Sequence, residues 1–272
     1  MRAALVQLCS GDDPVANLDT TMAFVEEAAR SDASLILTPE VTNCVSTSRK
    51  HQESVLRQED EDETLSALQG AARMHGVWIS IGSLAIKTDD PDGRFANRSF
   101  LIDPTGTIRA RYDKIHMFDV DVSDTESYRE SAGYRPGEKA VVVETDQARI
   151  GLTVCYDVRF AYLYRALAQA GAQIITVPSA FSTGTGPGHW EVLLRARAIE
   201  TGAFILAAAQ TGQNTDKRST YGHSLAVAPW GEVIADAGTE PGVTLVDLDL
   251  ATVEKSRQRI PALTHDRSFE RP

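Results

Sequence analysis

Gln147-Ala148-Arg149-Ile150-Gly151-Leu152-Thr153-Val154-Cys155-Tyr156-Asp157-Val158-Arg159-Phe160 carries the strongest signal of fold class in the chain. Its first half is a short apolar run with β-branched residues, the pattern of a buried strand. Polar residues then break the run just before a helix-like segment, Tyr162 to Ala170. Cys155 therefore stands where a strand turns toward a helix, and in α/β sheets reactive groups collect at the carboxyl ends of strands. A thiol there is either a buried small hydrophobe or an attacking nucleophile, and this stretch alone leaves both open.

Working outward, Val141 to Glu144 forms a hairpin with Arg149 to Val154. Beyond Gly171, Gln173-Ile174-Ile175-Thr176-Val177-Pro178 reads as the next strand, and a strong helix follows Gly188, carrying Trp190, Leu193, Leu194, Ala198 and Ile199 and closed by Gly202. Phe204 to Ala208 and Val243 to Leu248 are strands again. The N-terminal half opens in the same alternation. Residues 3–8 are a strand, and Asp13 before Pro14 is a helix N-cap with proline at the first helical position. Leu35-Ile36-Leu37 is a second strand, Leu65 to Ala72 a helix closed by Gly76, and Val77 to Gly82 a third strand. This β-α-β-α-β order marks the α/β class.

Two hairpins depart from it. Ser99 to Ile102 and Thr107 to Tyr112 flank Asp103-Pro104-Thr105-Gly106, while Leu225 to Val227 and Glu232 to Ala235 flank Ala228-Pro229-Trp230-Gly231. Proline and glycine hold the same offsets in both turns. The echo suggests two similar sheets packed face to face with helices outside; common turn chemistry explains it equally well. No linker composition divides residues 1–272, which read as a single domain with a C-terminal tail from about 250 to 272.

Composition bounds the function. With 272 residues, 42% of them hydrophobic, the chain can bury a core without staples. A net charge of −11 argues against nucleic acid as a partner. Part of that charge lies in Glu59-Asp60-Glu61-Asp62-Glu63, a solvated loop or helix start. No apolar run approaches membrane-spanning length, and Met1 to Leu8 lacks the apolar region of a signal peptide. Cys9, Cys44 and Cys155 are odd in number and far apart, which fits a reducing cytoplasm, with Cys9 and Cys44 taken as structural. Without His-x-x-x-His or Cys-x-x-Cys pairs, and without glycine-rich phosphate loops, neither a metal nor a nucleotide cofactor is expected.

A thiol nucleophile needs a proton acceptor and a group to stabilise the oxyanion. His116 and His189 are the histidine candidates, though both fall in segments that read as loops. Glu40, in Leu37-Thr38-Pro39-Glu40, and Lys114, in Tyr112-Asp113-Lys114-Ile115-His116, each follow a strand, as Cys155 does. Singly they read as solvated edge charges; together they could converge on one pocket.

These three motifs, in this order, resemble those of the carbon–nitrogen hydrolase (nitrilase) superfamily, and the similarity runs from about residue 2 to 270. The resemblance implies a four-layer α-β-β-α sandwich and a Glu40–Lys114–Cys155 triad that hydrolyses a non-peptide C–N bond through a cysteine thioester, without cofactor. It implies a second glutamate at Glu130, with Glu126 and Glu138 as competitors, and a homodimer joined through helices near the nucleophile, here Tyr162 to Ala170 and Trp190 to Ile199. Those apolar faces could equally be internal core.

Gly186 to Glu200, Tyr221-Gly222-His223-Ser224 and Pro229-Trp230-Gly231 resemble the small Nit-type amidases, nearest the branch acting on deaminated glutathione. The ω-amidases and N-carbamoyl amino acid amidohydrolases are alternatives. The implied substrate is a small carboxylate-bearing amide, taken as a primary amide that releases ammonia. Tyr156, Arg159, Phe181 and His189 are the substrate-binding candidates. Arg159 is the proposed cation for the carboxylate, or else a structural partner of Asp157 or another acid. Ala161-Tyr162 stands where Nit-type proteins carry a carboxylate, and the Met117 to Tyr134 segment is individual. Tyr156-Asp157 replaces the Trp-Glu usual in nitrilases, which disfavours nitriles. Two readings compete from other classes. Gly222-His223-Ser224-Leu225-Ala226 half-resembles a serine-hydrolase elbow, and a non-catalytic interaction protein would be expected to lack one of the three triad residues.

Overall fold

The structure is a computed structural model and describes residues 1–123 and 126–270. The N-terminal half runs Arg2–Gln7 (β1), Pro14–Arg30 (α1), Leu35–Leu37 (β2), Arg49–Val55 (α2), Glu63–His75 (α3), Trp78–Ile86 (β3), Ala96–Ile102 (β4) and Ile108–Asp113 (β5). Then come Asp119–Ser123 (β6), Glu126–Arg129 (β7), Val141–Glu144 (β8), Arg149–Leu152 (β9), Ala161–Gln169 (α4), Ile174–Thr176 (β10), Gly186–Thr201 (α5) and Phe204–Ala207 (β11). Thr211–Thr215 (β12), Arg218–Tyr221 (β13), Leu225–Val227 (β14), Val233–Asp236 (β15), Gly242–Asp247 (β16) and Ala251–Arg259 (α6) complete it.

Local chemistry sets the helix ends. The Asp13 carboxylate accepts the Val15 and Ala16 N–H groups at 3.0 and 3.4 Å, with Pro14 in the first turn of α1. Gly76 and Gly202 end α3 and α5 in the left-handed conformation. The acidic run is indeed a helix start: buried Asp62 caps α3 through Leu65 N–H at 2.8 Å, and Glu59 pairs with Arg98 and Arg111.

The hairpin echo reflects a repeated architecture. One sheet has the order β16-β1-β2-β3-β4-β5 and the other β15-β14-β11-β10-β9-β8. In each, three parallel strands (β1-β2-β3, β9-β10-β11) carry an antiparallel hairpin on one side (β4-β5, β14-β15) and one antiparallel strand on the other. The two Pro-x-Gly turns close equivalent hairpins.

Strand alternation assigns the layers. Ala4 and Val6 of β1 join Ile36, Ile79 and Phe100 in a core against Val25 of α1 and Leu68 of α3. Ala3 and Leu5 point the other way, into a core shared with Ile150, Ile174 and Phe204 of the second sheet, whose other face Leu167 of α4 and Leu194 of α5 cover. The result is the expected α-β-β-α sandwich. The sheets are stitched near the strand ends, where Thr211 N–H donates to Leu8 O at 2.7 Å and Gln210 to the backbone of Glu40 at 3.1 Å.

The segment read as a tail begins with α6, whose Arg257 donates to Ala172 O and Thr201 O. Asp266 accepts from Arg165 and Gln169 of α4, so this segment lies along the outer helices. Residues 271–272, the end of the expected single domain, are outside the described residues. Among those described, no helix is long and apolar enough to cross a membrane.

Candidate active site

Three strand ends bring the candidate catalytic groups together. Glu40 follows β2, Lys114 follows β5 and Cys155 follows β9, and all three are buried on the wall of a cavity of about 490 Å³. That volume suits a small-molecule ligand.

Lys114 Nζ lies 2.8 Å from Glu40 Oε1 and 2.8 and 3.0 Å from the two oxygens of Glu130. Asn97, near the start of β4, donates from the same amide nitrogen to Glu40 at 2.9 Å and Glu130 at 3.1 Å, holding both carboxylates around the ammonium. Phe118 N–H completes Glu130 at 2.6 Å, so each Glu130 oxygen already accepts two hydrogen bonds. Glu40 also accepts the Ala180 N–H at 2.8 Å, and the Cys155 thiol lies beside the same carboxylate.

These contacts set the protonation pattern. Burial alone would raise the Glu40 carboxyl, but the Lys114 charge and the hydrogen bonds from Lys114, Cys155 and Ala180 outweigh it and hold Glu40 below its ordinary range. Burial disfavours the Lys114 cation, yet Glu130 and Glu40 lift its affinity for a proton well above normal. For Cys155, burial and then the charge of Glu40 raise the thiol, with Lys114 offsetting part. The resting site is therefore carboxylate, ammonium and neutral thiol.

The nucleophile turn is tied to the lysine strand through Asp157. This fully buried carboxylate accepts from Tyr112 Oη at 2.7 Å, His116 N–H at 3.1 Å and Val154 N–H at 2.9 Å, and contacts His116 Nδ1 at 2.6 Å. Tyr112 and His116 flank Lys114, so one acid sets the Lys114 and Cys155 backbones relative to each other. Cys155 itself adopts φ +48°, and its N–H donates to Pro178 O at 2.8 Å.

The remaining sequence candidates divide. Tyr156 and Phe181 line the cavity. Arg159 and His189 do not: the 3-10 turn Cys155–Arg159 carries Arg159 behind that wall, where it meets His189 Nδ1 at 3.2 Å and packs over Tyr156 and Phe181. Nor does Arg159 pair with Asp157, whose partner is His116. His116 is engaged by Asp157 and the Tyr162 hydroxyl and does not line the cavity. Of the competitors to Glu130, Glu138 is exposed and the side chain of Glu126 lies outside the described residues. The individual Met117 to Tyr134 segment contains the β6–β7 hairpin, with residues 124–125 likewise outside.

Ser224, centre of the rival serine reading, is sealed inside, donating to Gln7 and accepting from Ala209 N–H. Cys44 forms part of the cavity wall; burial, then Asp12 and Asp13, push its thiol up to about 12. Cys9 is exposed. Among the described residues, no cluster of three or more His, Cys, Asp or Glu side chains is arranged to hold a metal ion. Sequence reasoning missed Asn97 and two basic residues on the cavity, Lys217 and Arg218, carried by the β12–β13 hairpin. The Lys-Arg pair itself was the available signal.

Comparison with known proteins gives the same direction. The profile of the carbon–nitrogen hydrolase family matches residues 2–258. The chain is 40% identical over 265 residues to a deaminated glutathione amidase of Yersinia enterocolitica, covering 97% of this chain and 92% of that protein. The crystal structure of the Caenorhabditis elegans NitFhit protein superposes with a TM-score of 0.90 at 33% identity, over 98% of this chain and 65% of that one. An amidase from a Nesterenkonia species superposes at 0.78 and 29% identity, over 96% of this chain and 98% of that one; there, acrylamide has added to the active-site cysteine.

Proposed function

The chain belongs to the carbon–nitrogen hydrolase family, and from that premise we propose that it is a thiol amidohydrolase acting on deaminated glutathione or a close anionic amide. The observation that carries the mechanism is the buried contact of Glu40 with both Lys114 and the Cys155 thiol. The thiol proton passes to Glu40 as Sγ attacks the amide carbon. Lys114 and the backbone N–H of Tyr156 hold the oxyanion. This step moves negative charge from Glu40 to the oxyanion beside the same ammonium, so the net charge of the buried cluster is unchanged.

Collapse of the intermediate breaks the C–N bond. Glu40 gives its proton to the departing nitrogen, leaving the acyl group as a thioester on Cys155. Water, deprotonated by Glu40, then releases the acid and restores the thiol. Glu130 positions Lys114; its two oxygens are saturated, which supports this role over that of a second base. In deaminated glutathione the amide joins a keto-acid arm to cysteinylglycine, so an amine departs, whereas a primary amide would release ammonia.

We place the enzyme in the cytoplasm, a compartment that suits three free cysteines, and as a homodimer through the outer faces of α4 and α5. Steady-state hydrolysis of deaminated glutathione, α-ketoglutaramate and N-carbamoyl amino acids tests the reading. Deaminated glutathione should be cleaved fastest, and Cys155→Ala should lower turnover by roughly 10⁴-fold or more. Wild-type rates in that variant would refute the thioester route.

A further inference from the structure

We propose that Arg218, with Lys217 beside it, is the subsite that receives the carboxylate on the acyl arm of the substrate and so selects anionic over uncharged amides. The inference rests on the amidase reading above and adds the residue that sets its specificity.

The charge of the cavity makes the case. Glu40 and Glu130 share one ammonium, so the buried cluster carries an excess negative charge and repels an anionic substrate unless another cation faces it. Among the described residues, four basic ones line the cavity: Lys114, Arg129, Lys217 and Arg218. Lys114 is committed to the two glutamates. Arg129 is committed to Asp121 at 2.8 Å and to the carbonyls of Val120 and Tyr128. Among the described residues, no carboxylate lies within ion-pair distance of Lys217 or Arg218.

Arg218 is also held in place. It is half-buried, one terminal nitrogen donates to Ala180 O at 2.8 Å, and its guanidinium lies 5.0 Å from the centre of the Tyr128 ring. A guanidinium has five N–H donors in a fork that fits a carboxylate, and this anchoring leaves others uncommitted. The anchor matters for register, because the N–H of the same Ala180 holds Glu40. An acyl arm gripped by Arg218 is thus referenced to the catalytic carboxylate through a single residue. Lys217 is exposed beside it, on the cavity wall. Arg159, the cation nearest the nucleophile in sequence, is behind Tyr156 and Phe181 and does not face this space.

The test compares amides that differ in charge: succinamate, glutaramate and deaminated glutathione against butanamide and pentanamide, using wild type, Arg218→Gln, Arg218→Lys and Arg159→Gln. Wild type should favour the anionic set. Arg218→Gln should lower kcat/KM on that set roughly 10- to 100-fold, mostly through KM, and change the uncharged amides less than about threefold. Arg218→Lys should recover part of the loss, and Arg159→Gln should leave the charge preference unaltered. An equal loss on both sets in Arg218→Gln would show a structural role through Ala180 and overturn the proposal, as would an unmoved preference. Wild type favouring uncharged amides would overturn it while sparing the amidase reading. Wild type that cleaves none of the five would overturn both.

Discussion

The Cys155 thiol is protonated at rest, because burial and the charge of Glu40 favour that form. In the proposed mechanism its reactivity comes from Glu40, whose carboxylate is preserved by Lys114 against the desolvation that would otherwise neutralise it. The sign of the pH dependence follows. Activity requires Glu40 ionised, and its depressed affinity for a proton extends the active form to lower pH, so the acid limb should fall below the ordinary glutamate value of about 4.3. On the basic side, a thiol that reacts by transferring its proton to Glu40 gains nothing when free thiols ionise, near about pH 8.5. The kcat/KM for an uncharged amide should therefore stay level between pH 5 and 9 by these limits, roughly a 10⁴-fold range of proton activity. A rise with an apparent pKa near 8.5 would instead identify a preformed thiolate and remove Glu40 from the acylation step. The same neighbourhood stores backbone strain. Val41, directly after Glu40, and Cys155 both have positive φ, a conformation costly for a side chain of either kind.

At the scale of elements, the site depends on how closely two loop ends approach across the sandwich, and Gly82 in β3 permits that approach. A Cβ there would stand 2.1 Å from Thr38 O, 2.5 Å from Pro39 O and 2.4 Å from Pro178 Cβ. These atoms belong to the turn that presents Glu40 and to the residue whose carbonyl receives the Cys155 N–H. Gly82→Ala must push the Glu40 and Cys155 supports apart, costing about 1–3 kcal/mol of stability and lowering kcat roughly 100-fold. Gly188→Ala in α5, where a Cβ meets nothing within 4 Å, is the matched control. Thermal melting and turnover read both effects, and a Gly82→Ala protein with wild-type values for both would contradict this packing. Much of this arrangement was legible beforehand: the strands before Glu40 and Cys155 are apolar runs with clear stops, the strand before Lys114 is the return arm of a Pro-x-Gly hairpin, and the pairing of two such turns was consistent with a doubled sheet without requiring it. Glu130 was reachable only through family resemblance, since a single carboxylate beside an arginine has no periodic context. Arg218 escaped notice because Thr211-Gly212-Gln213-Asn214-Thr215 has no apolar alternation to mark a strand. Arg159 was favoured by nearness along the chain, a measure that fails when a 3-10 turn rotates the side chain behind the wall.

For the whole molecule, the outer helices raise the question of what covers them. The apolar residues of α4 and α5 divide by face: Leu163, Leu167, Trp190, Leu194 and Ala198 are core, whereas Tyr162, Val192 and Ile199 remain 66%, 67% and 58% exposed. Large aliphatic and aromatic side chains on two adjacent helices suit a twofold contact, in which the same patch meets its own copy. That contact would bear on the site, because buried Arg197 of α5 donates to the Val158 carbonyl of the nucleophile turn at 2.7 Å. Sedimentation should give wild type a mass about twice the 29.5 kDa of the chain. Val192→Asp combined with Ile199→Asp would place two carboxylates at the contact, each costing at least about 2 kcal/mol if central to it, and should yield monomer at micromolar concentration. Since Val192 and Ile199 are outside the core of the single chain, the double variant should keep its fold, so a loss of activity that tracks dissociation measures what the second copy contributes through Arg197. Wild-type protein sedimenting as a monomer would instead rule out a second copy as the cover of these faces.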